Sequence, residues 1–325
     1  MDEDIRKMVL ELQGSGHRID IGGIQFAPKR ILHSGSCLLD WMLGVGGLPS
    51  GRLLEFAGSE GGGKTTISMV CAAAVQAQGY EVVWVDAEHS YDEIMARNVG
   101  LKDTIVFQPK FGEEALDIVR KFVGLEQVGL IVIDSIAALV PQDELKVVQV
   151  TDAIALQARM ISLKLRQIFV EMTPTSPTII TINQLRDRVG GWGASHTTPG
   201  GRSHKHWAHI RIQVARGNSI EDTDKNRVGN WVDLSYLKSK MTSPDKKVSV
   251  PLVWGYGIDR RLDIIESAAL LGVVRKERGR VYFEDGETGK FVKDISDEQL
   301  TDLFLKVNLI LDTYRTKISG AGEAI

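Results

Sequence analysis

Residues 58–66 read GSEGGGKTT, between an apolar run, RLLEFAG (52–58), and a helical-looking run, TTISMVCAAAVQAQ (65–78). Gly58, Gly63, Lys64 and Thr65 fit the pattern G-x-x-x-x-G-K-[ST], and a strand before it with a helix after it is the setting that pattern requires. Glycines let backbone N–H groups curl around phosphate oxygens, and the following helix points its positive end at them. The run Gly58, Ser59, Glu60, Gly61, Gly62, Gly63, Lys64, Thr65, Thr66 is therefore the candidate phosphate cradle. Within it, Lys64 supplies charge to the outer phosphates and the Thr65 hydroxyl can ligate Mg²⁺.

The surrounding sequence supplies the fold for such a loop. Short apolar runs, YEVVWVD (80–86), TIVFQP (104–109), GLIVID (129–134) and TIITIN (178–183), alternate with helical stretches such as EEALDIVRKFVGL (113–125) and ALQARMISLKLRQIFVEM (155–172). That alternation predicts an α/β fold with a mostly parallel central sheet and helices on both faces. Further on, HIRIQVARG, NWVDLSYLKSK and KVSVPLVWGYG succeed one another without helices and predict antiparallel additions to the sheet. From about residue 262 a smaller α+β unit is expected. It has a helix in DIIESAALLGVV, a hairpin in GRVYFEDGETGKFV, and a last helix opened by a capping box at Ser296 and Gln299. Leu300, Leu303, Phe304, Val307 and Ile310 would line its inner face. At the other end, Ile5, Met8, Val9 and Leu12 mark a short amphipathic helix before GSG (14–16). It either packs on its own core or docks on a neighbouring subunit. The expected division is residues 1–29 as an arm, 30–261 as the ATPase core and 262–325 as the C-terminal unit.

Composition is that of a globular protein, with 43% hydrophobic and 25% charged residues over 325. The net charge of −3 carries no global basic field. Two cysteines exclude a disulfide framework or a cysteine zinc module and fit a reducing cytosol. No run approaches the length of a membrane span, so a cytoplasmic protein is expected.

Two more strand ends carry carboxylates. Asp134 closes LIVID after a P-loop, where a Mg²⁺ partner is expected, although an isolated Asp there would more often be a helix cap. Asp86 and Glu88 end the strand after the P-loop helix. In a doubly wound sheet such ends converge on the ligand crevice, so Glu88 can orient a water at the γ-phosphate while Asp86 reads as structural. A different feature is the stretch DRVGGWGASHTTPGGRSHKHWAH (187–209), with five glycines, two tryptophans and four of the seven histidines. From Arg186 to Arg216 six Lys/Arg face one acid, Asp187. Such a loop needs a use. A metal cluster of His204, His206 and His209 is the weaker reading, because nothing nearby completes a familiar site. A polar helix start after Gly201 is favoured, with Lys205 and Arg211 near DNA or the next subunit.

GSCLLDWMLGVGGLPSGRLLEFAGSEGGGKTT, VDAEHSYD, LIVIDSIAALVPQDEL and INQLR resemble, in order and spacing, the bacterial RecA-type recombinases, over about residues 30–285. The resemblance implies a DNA-dependent ATPase that takes ATP and Mg²⁺. It would form helical filaments of itself on single-stranded DNA and exchange strands with a homologous duplex. Glu88 would activate water, Asp134 would serve the Mg²⁺ site, and Gln184 would sense the γ-phosphate. Asp92 would lie near the adenine. Lys238 and Lys240, two residues apart on one strand face, would reach a neighbouring subunit's γ-phosphate. One DNA-binding loop would come after INQ, with Arg186, Arg188, Val189, Trp192, Gly200, Gly201 and Arg202. The other would lie near residues 145–154, with Ile154 and then Arg159. Trp192 could stack on or wedge between bases, or pin the loop to the protein.

The chain also departs from the family. Its N-terminal region is short. Met95 stands where the family stacks a tyrosine on adenine, with Tyr91 one turn earlier, and His206 replaces an aromatic of the subunit relay. It ends in KISGAGEAI rather than an acidic tail. A hexameric helicase or translocase on the same core is the alternative, as is an ATP-switched regulatory protein.

Overall fold

The computed structural model describes residues 2–15, 27–146, 149–187, 196–197, 201–283 and 289–318. Helix α1 (Glu3–Gly14) comes first, and a two-stranded ribbon, β1 (Ile31–Leu32) with β2 (Leu48–Pro49), brackets α2 (Cys37–Leu43). The core then runs β3 (Leu53–Gly58), α3 (Lys64–Ala77), β4 (Glu81–Asp86), α4 (Glu93–Asn98), β5 (Ile105–Phe107) and α5 (Gly112–Phe122). It continues through β6 (Val128–Asp134), α6 (Val150–Glu171) and β7 (Thr178–Gln184). Short β8 (Arg186–Asp187) and β9 (His196–Thr197) pair with each other before α7 (Gly201–Trp207). Next come β10 (Ile210–Glu221), β11 (Arg227–Ser239), β12 (Lys247–Val253), β13 (Gly257–Ile258) and α8 (Arg260–Leu270). The C-terminal part closes with β14 (Arg275–Glu277), β15 (Arg280–Tyr282), β16 (Lys290–Phe291) and α9 (Asp297–Ile318).

Nine strands form one sheet in the order β13-β12-β11-β10-β3-β7-β6-β4-β5. From β10 to β5 every neighbouring pair is parallel, and from β10 to β13 every pair is antiparallel. The parallel strands are largely apolar because both faces are covered, and the polar side chains they bury, Glu55, Thr181 and Asn183, are hydrogen-bonded inside. Along β3, Leu53 enters the cluster beneath α5 and α6, whereas Leu54 and Phe56 enter the one beneath α2 and α3. Trp84, Leu54 and Phe56 are wholly buried, and each such side chain contributes about 1.5–3 kcal/mol.

A third cluster joins Ile264, Ile265 and Ala268 of α8 to Leu303, Val307 and Leu311 of α9, and it includes Cys37 of α2. The expected capping box forms: Gln299 N–H donates to Ser296 Oγ at 3.2 Å and Ser296 N–H to Gln299 Oε1 at 3.3 Å. The expected hairpin is one part of a three-stranded sheet, because β14 pairs with β15 ahead of it. Helix α8 begins at Arg260, inside the expected core boundary, and stops before Gly272, whose φ of +74° ends it. The wholly buried Asp263 of α8 accepts Ser36 Oγ–H at 2.6 Å and Cys37 N–H at 2.7 Å, and so sits on the N-terminus of α2. Helix α1 buries none of its residues; Ile5 and Met8 are exposed, so its apolar stripe finds no core among the described residues.

Candidate nucleotide and DNA site

The loop 58–63 lies between the end of β3 and the start of α3. A Cβ on Gly58 would meet Val214 O at 2.0 Å, so only glycine lets β10 pass this close. Gly63 caps α3 with φ +93° and offers no side-chain acceptor, which leaves the first-turn N–H groups of α3 for an anion. Lys64 is buried, and its Nζ donates to Ser59 O at 2.6 Å, across the loop it would serve. Burial pushes its pKa down, against the pull of Asp134, Glu88 and Glu60.

Sheet register brings the carboxylates together. Asp86 and Asp134 are directly paired at the ends of β4 and β6. Thr65 Oγ1 donates to Asp134 Oδ2 at 2.9 Å. Burial raises the Asp134 carboxyl to about 6, with Glu88 and Asp86 adding to the rise and Thr65 opposing it. This is a hydroxyl and a buried carboxylate beside further negative charge, all hard oxygen donors, and it fits Mg²⁺. Asp86 is structural, as the sequence suggests: it accepts Ser90 N–H, Tyr91 N–H and Gln108 Nε2–H, pinning the turn that carries Glu88. Glu88 itself is exposed at the strand end, and its carboxylate accepts the hydroxyl of Ser135. Nothing in the sequence marks Ser135 except its place next to Asp134.

Gln184 ends β7 directly opposite Gly58 of β3, so it lies beside the first glycine of the loop. Asp92 caps α4, accepting Met95 N–H at 2.9 Å. Met95 lines a cavity of about 490 Å³ that opens from the phosphate loop. The other walls are Arg216, Asn230, Val232 and the turn Val253–Gly255, with Trp254 half exposed. Sequence reasoning misses all of these, because β10 to β12 reach the site only through the sheet. Tyr91 is not a substitute for the missing tyrosine, since it packs edge-on against Trp84, ring centres 5.5 Å apart.

Lys238 and Lys240 do lie together. Lys238 Nζ donates to Lys205 O at 2.7 Å and His206 O at 2.9 Å, and Lys240 Nζ lies 3.5 Å from His206 O. Both stand at the C-terminal end of α7, where cations are favoured. Neither lines the cavity around its own phosphate loop. The three histidines have separate surroundings. His204 is buried beside Glu55 and Thr181, His206 is exposed, and His209 Nδ1 accepts Leu53 N–H at 3.2 Å. Arg211 corrects an expectation: it turns inward to the buried Glu55 carboxylate rather than outward to DNA or a subunit.

Residues 5–259 match the family model of the RecA N-terminal domain. The chain belongs to the RecA family. Curated proteins named RecA are similar over most of its length. That of Chloroherpeton thalassium is 35% identical over 298 residues, covering 89% of this chain and 83% of the relative. That of Mesoplasma florum is 38% identical over 263 residues, covering 80% and 79%. That of Mycoplasma mobile is 32% identical over 327 residues, covering 99% and 97%. As a member of the RecA family the chain is an ATP-dependent recombinase of recombination and repair, and a DNA-dependent ATPase whose hydrolysis is coupled to strand exchange. The helicase alternative is not favoured. RecA proteins act on DNA and form filaments.

Of the residues expected to bind DNA, Arg188, Val189, Trp192 and Gly200 lie outside the described residues. Arg186 belongs to β8, while Gly201 and Arg202 open α7. The stretch 145–154 is not all loop, since α6 starts at Val150, five residues before the expected helix, and carries Ile154 and Arg159 exposed. No helix among the described residues is long and apolar enough to cross a membrane.

Proposed function

We propose that this RecA-family chain binds ATP with Mg²⁺ between adjacent copies of itself, and that the copies wind on single-stranded DNA in the cytoplasm to test a duplex for homology. The observation that carries this reading is the convergence of the phosphate loop, Asp134, Glu88 and Gln184 at the carboxyl ends of β3, β6, β4 and β7. The first-turn N–H groups of α3 and Lys64 hold the phosphates, once Lys64 swings away from Ser59 O. Thr65 and Asp134 would hold Mg²⁺, which supplies charge neutralisation of the phosphoryl oxygens. Glu88, fixed by Ser135 and by the Asp86-pinned turn, takes a proton from the attacking water. Gln184 reads the outer phosphate, while Asp92 and Met95 border the base.

Lys238 and Lys240 point away from their own cavity, which supports their action on a neighbour's nucleotide. Ile154, Arg159, Arg186, Arg188, Val189, Trp192, Gly200, Gly201 and Arg202 form the DNA-binding set. They grip backbone phosphates and leave base edges free to pair. The unburied stripe of α1 supports its role as the assembly arm, residues 1–29. The separate cluster of α8 and α9 supports a C-terminal unit from about 262.

The test is strand exchange with a labelled single strand, ATP and Mg²⁺. Joint molecules should form with a homologous duplex and not with an unrelated one. Displacement regardless of homology would replace this reading with that of a motor.

A further inference from the structure

Glu55, Thr181 and Arg211 are in register on three adjacent parallel strands, β3, β7 and β10, and α7 lies over that face. Glu55 is wholly buried. Its Oε1 accepts Asn183 Nδ2–H at 2.8 Å and lies 3.4 Å from His204 Nδ1, while its Oε2 accepts Arg211 Nε–H. Burial opposes its charge, but His204 and Arg211 outweigh burial and hold the carboxyl down at about 2. The other nitrogen of His204 is 3.0 Å from Thr181 Oγ1. Asn183 in turn accepts the N–H of Gln184 at 2.9 Å.

Hydroxyl, imidazole and carboxylate are arranged here as in a nucleophilic triad. Thr181, His204 and Glu55 are all wholly buried, so no substrate reaches them. Their connections are more informative. His204 belongs to α7, the seven-residue helix that follows the stretch expected to bind DNA. Asn183 holds the backbone of the γ-phosphate sensor. A buried carboxylate cannot lose the imidazole beside it without re-forming its contacts to Asn183 and Arg211, so a shift of α7 must be felt at Asn183.

We infer that Glu55 is a positioning residue that couples the helix leaving the DNA loop to Gln184, through His204 on one side and Asn183 on the other. The inference rests on the recombinase reading above and adds the route by which DNA raises the rate of hydrolysis. Spatial connection alone does not establish coupling, so the test measures it. ATP hydrolysis by the full-length protein is monitored with and without polythymidine, for wild type, His204→Leu, Glu55→Gln and the double variant. Glu55→Gln keeps the shape but turns a donor toward Asn183 or Arg211.

His204→Leu should keep its DNA-independent rate and its KM for ATP, yet lose about fivefold or more of the stimulation by DNA. Adding Glu55→Gln should cost no further stimulation, as expected of two members of one link. ATP should also tighten DNA binding less in His204→Leu than in wild type, because a link between the two sites acts in both directions. Should Glu55→Gln fail to fold, His204→Leu with this affinity measurement carries the test alone. Undiminished stimulation in His204→Leu overturns the inference, as does an equal fall of the rates with and without DNA, which is the mark of a merely structural pair. A wild type that DNA does not stimulate overturns the recombinase reading together with the inference.

Discussion

His209 gives the protein a defined weakness to mild acid. Burial, with smaller contributions from Arg52, Lys240 and Lys238, lowers its pKa from 6.5 to about 3, and its Nδ1 is already occupied by Leu53 N–H. The folded chain therefore binds fewer protons than the unfolded one between those two values. Stability rises with pH across that window: it is present in full above about 6.5 and is lost as pH falls toward 3. Integrated from pH 7.5 down to pH 5, the loss from this one ring is about 2 kcal/mol. His209→Asn keeps an oxygen for the Leu53 N–H and cannot be protonated. Urea unfolding of both proteins at these two pH values isolates the ring, because groups common to both cancel in the difference. Glu55, whose charge is lost only below its ordinary value of 4.5, stays outside the range. Relative to wild type, the variant should gain about 2 kcal/mol on going from pH 7.5 to pH 5. A difference that does not change with pH would refute the reasoning, since the ring would then accept its proton without cost.

Glu88→Gln should lower kcat by about a hundredfold or more while ATP binding is kept, as read by steady-state hydrolysis beside a nucleotide titration. Ser135→Ala should lose about tenfold, and Ser135→Thr should restore it, because only the hydroxyl that steadies Glu88 is at stake. Trp254→Ala removes an aromatic wall from the nucleotide cavity. KM for ATP should rise about two- to tenfold with kcat unchanged; an unaltered KM would place the base elsewhere.

The parallel half of the sheet is legible because a strand covered on both faces must be mostly apolar, as GLIVID is and as the isoleucines of TIITIN show. The phosphate loop is legible because its chemistry lies within one short run. Trp254 and Arg216 are not, since nothing local marks a turn after β12 or a β10 residue as neighbours of a loop after β3. Arg211 misleads for a related reason: a basic residue in a basic stretch looks solvent-facing until its partner, Glu55, is found 156 positions away. The early start of α6 escapes notice because VTDAI is rich in residues of low helix propensity, and the stronger helix formers after it draw it in. VRKE at β14 carries charges that disguise an edge strand.

Asp263 alters how deletions at the C-terminal end must be interpreted. Its carboxylate is the acceptor for the first turn of α2, so a chain cut at residue 261 loses more than an appendage. It leaves the Ser36 hydroxyl and the Cys37 amide without their acceptor, bares the Cys37 thiol, and frees one end of a helix that lies between β1 and β2. A truncated protein that no longer exchanges strands would thus report a damaged ATPase core as readily as a missing C-terminal unit. Point changes on the outer surface of α9, at Leu305 or Leu309, would separate the two, because they alter that unit while leaving the tether in place.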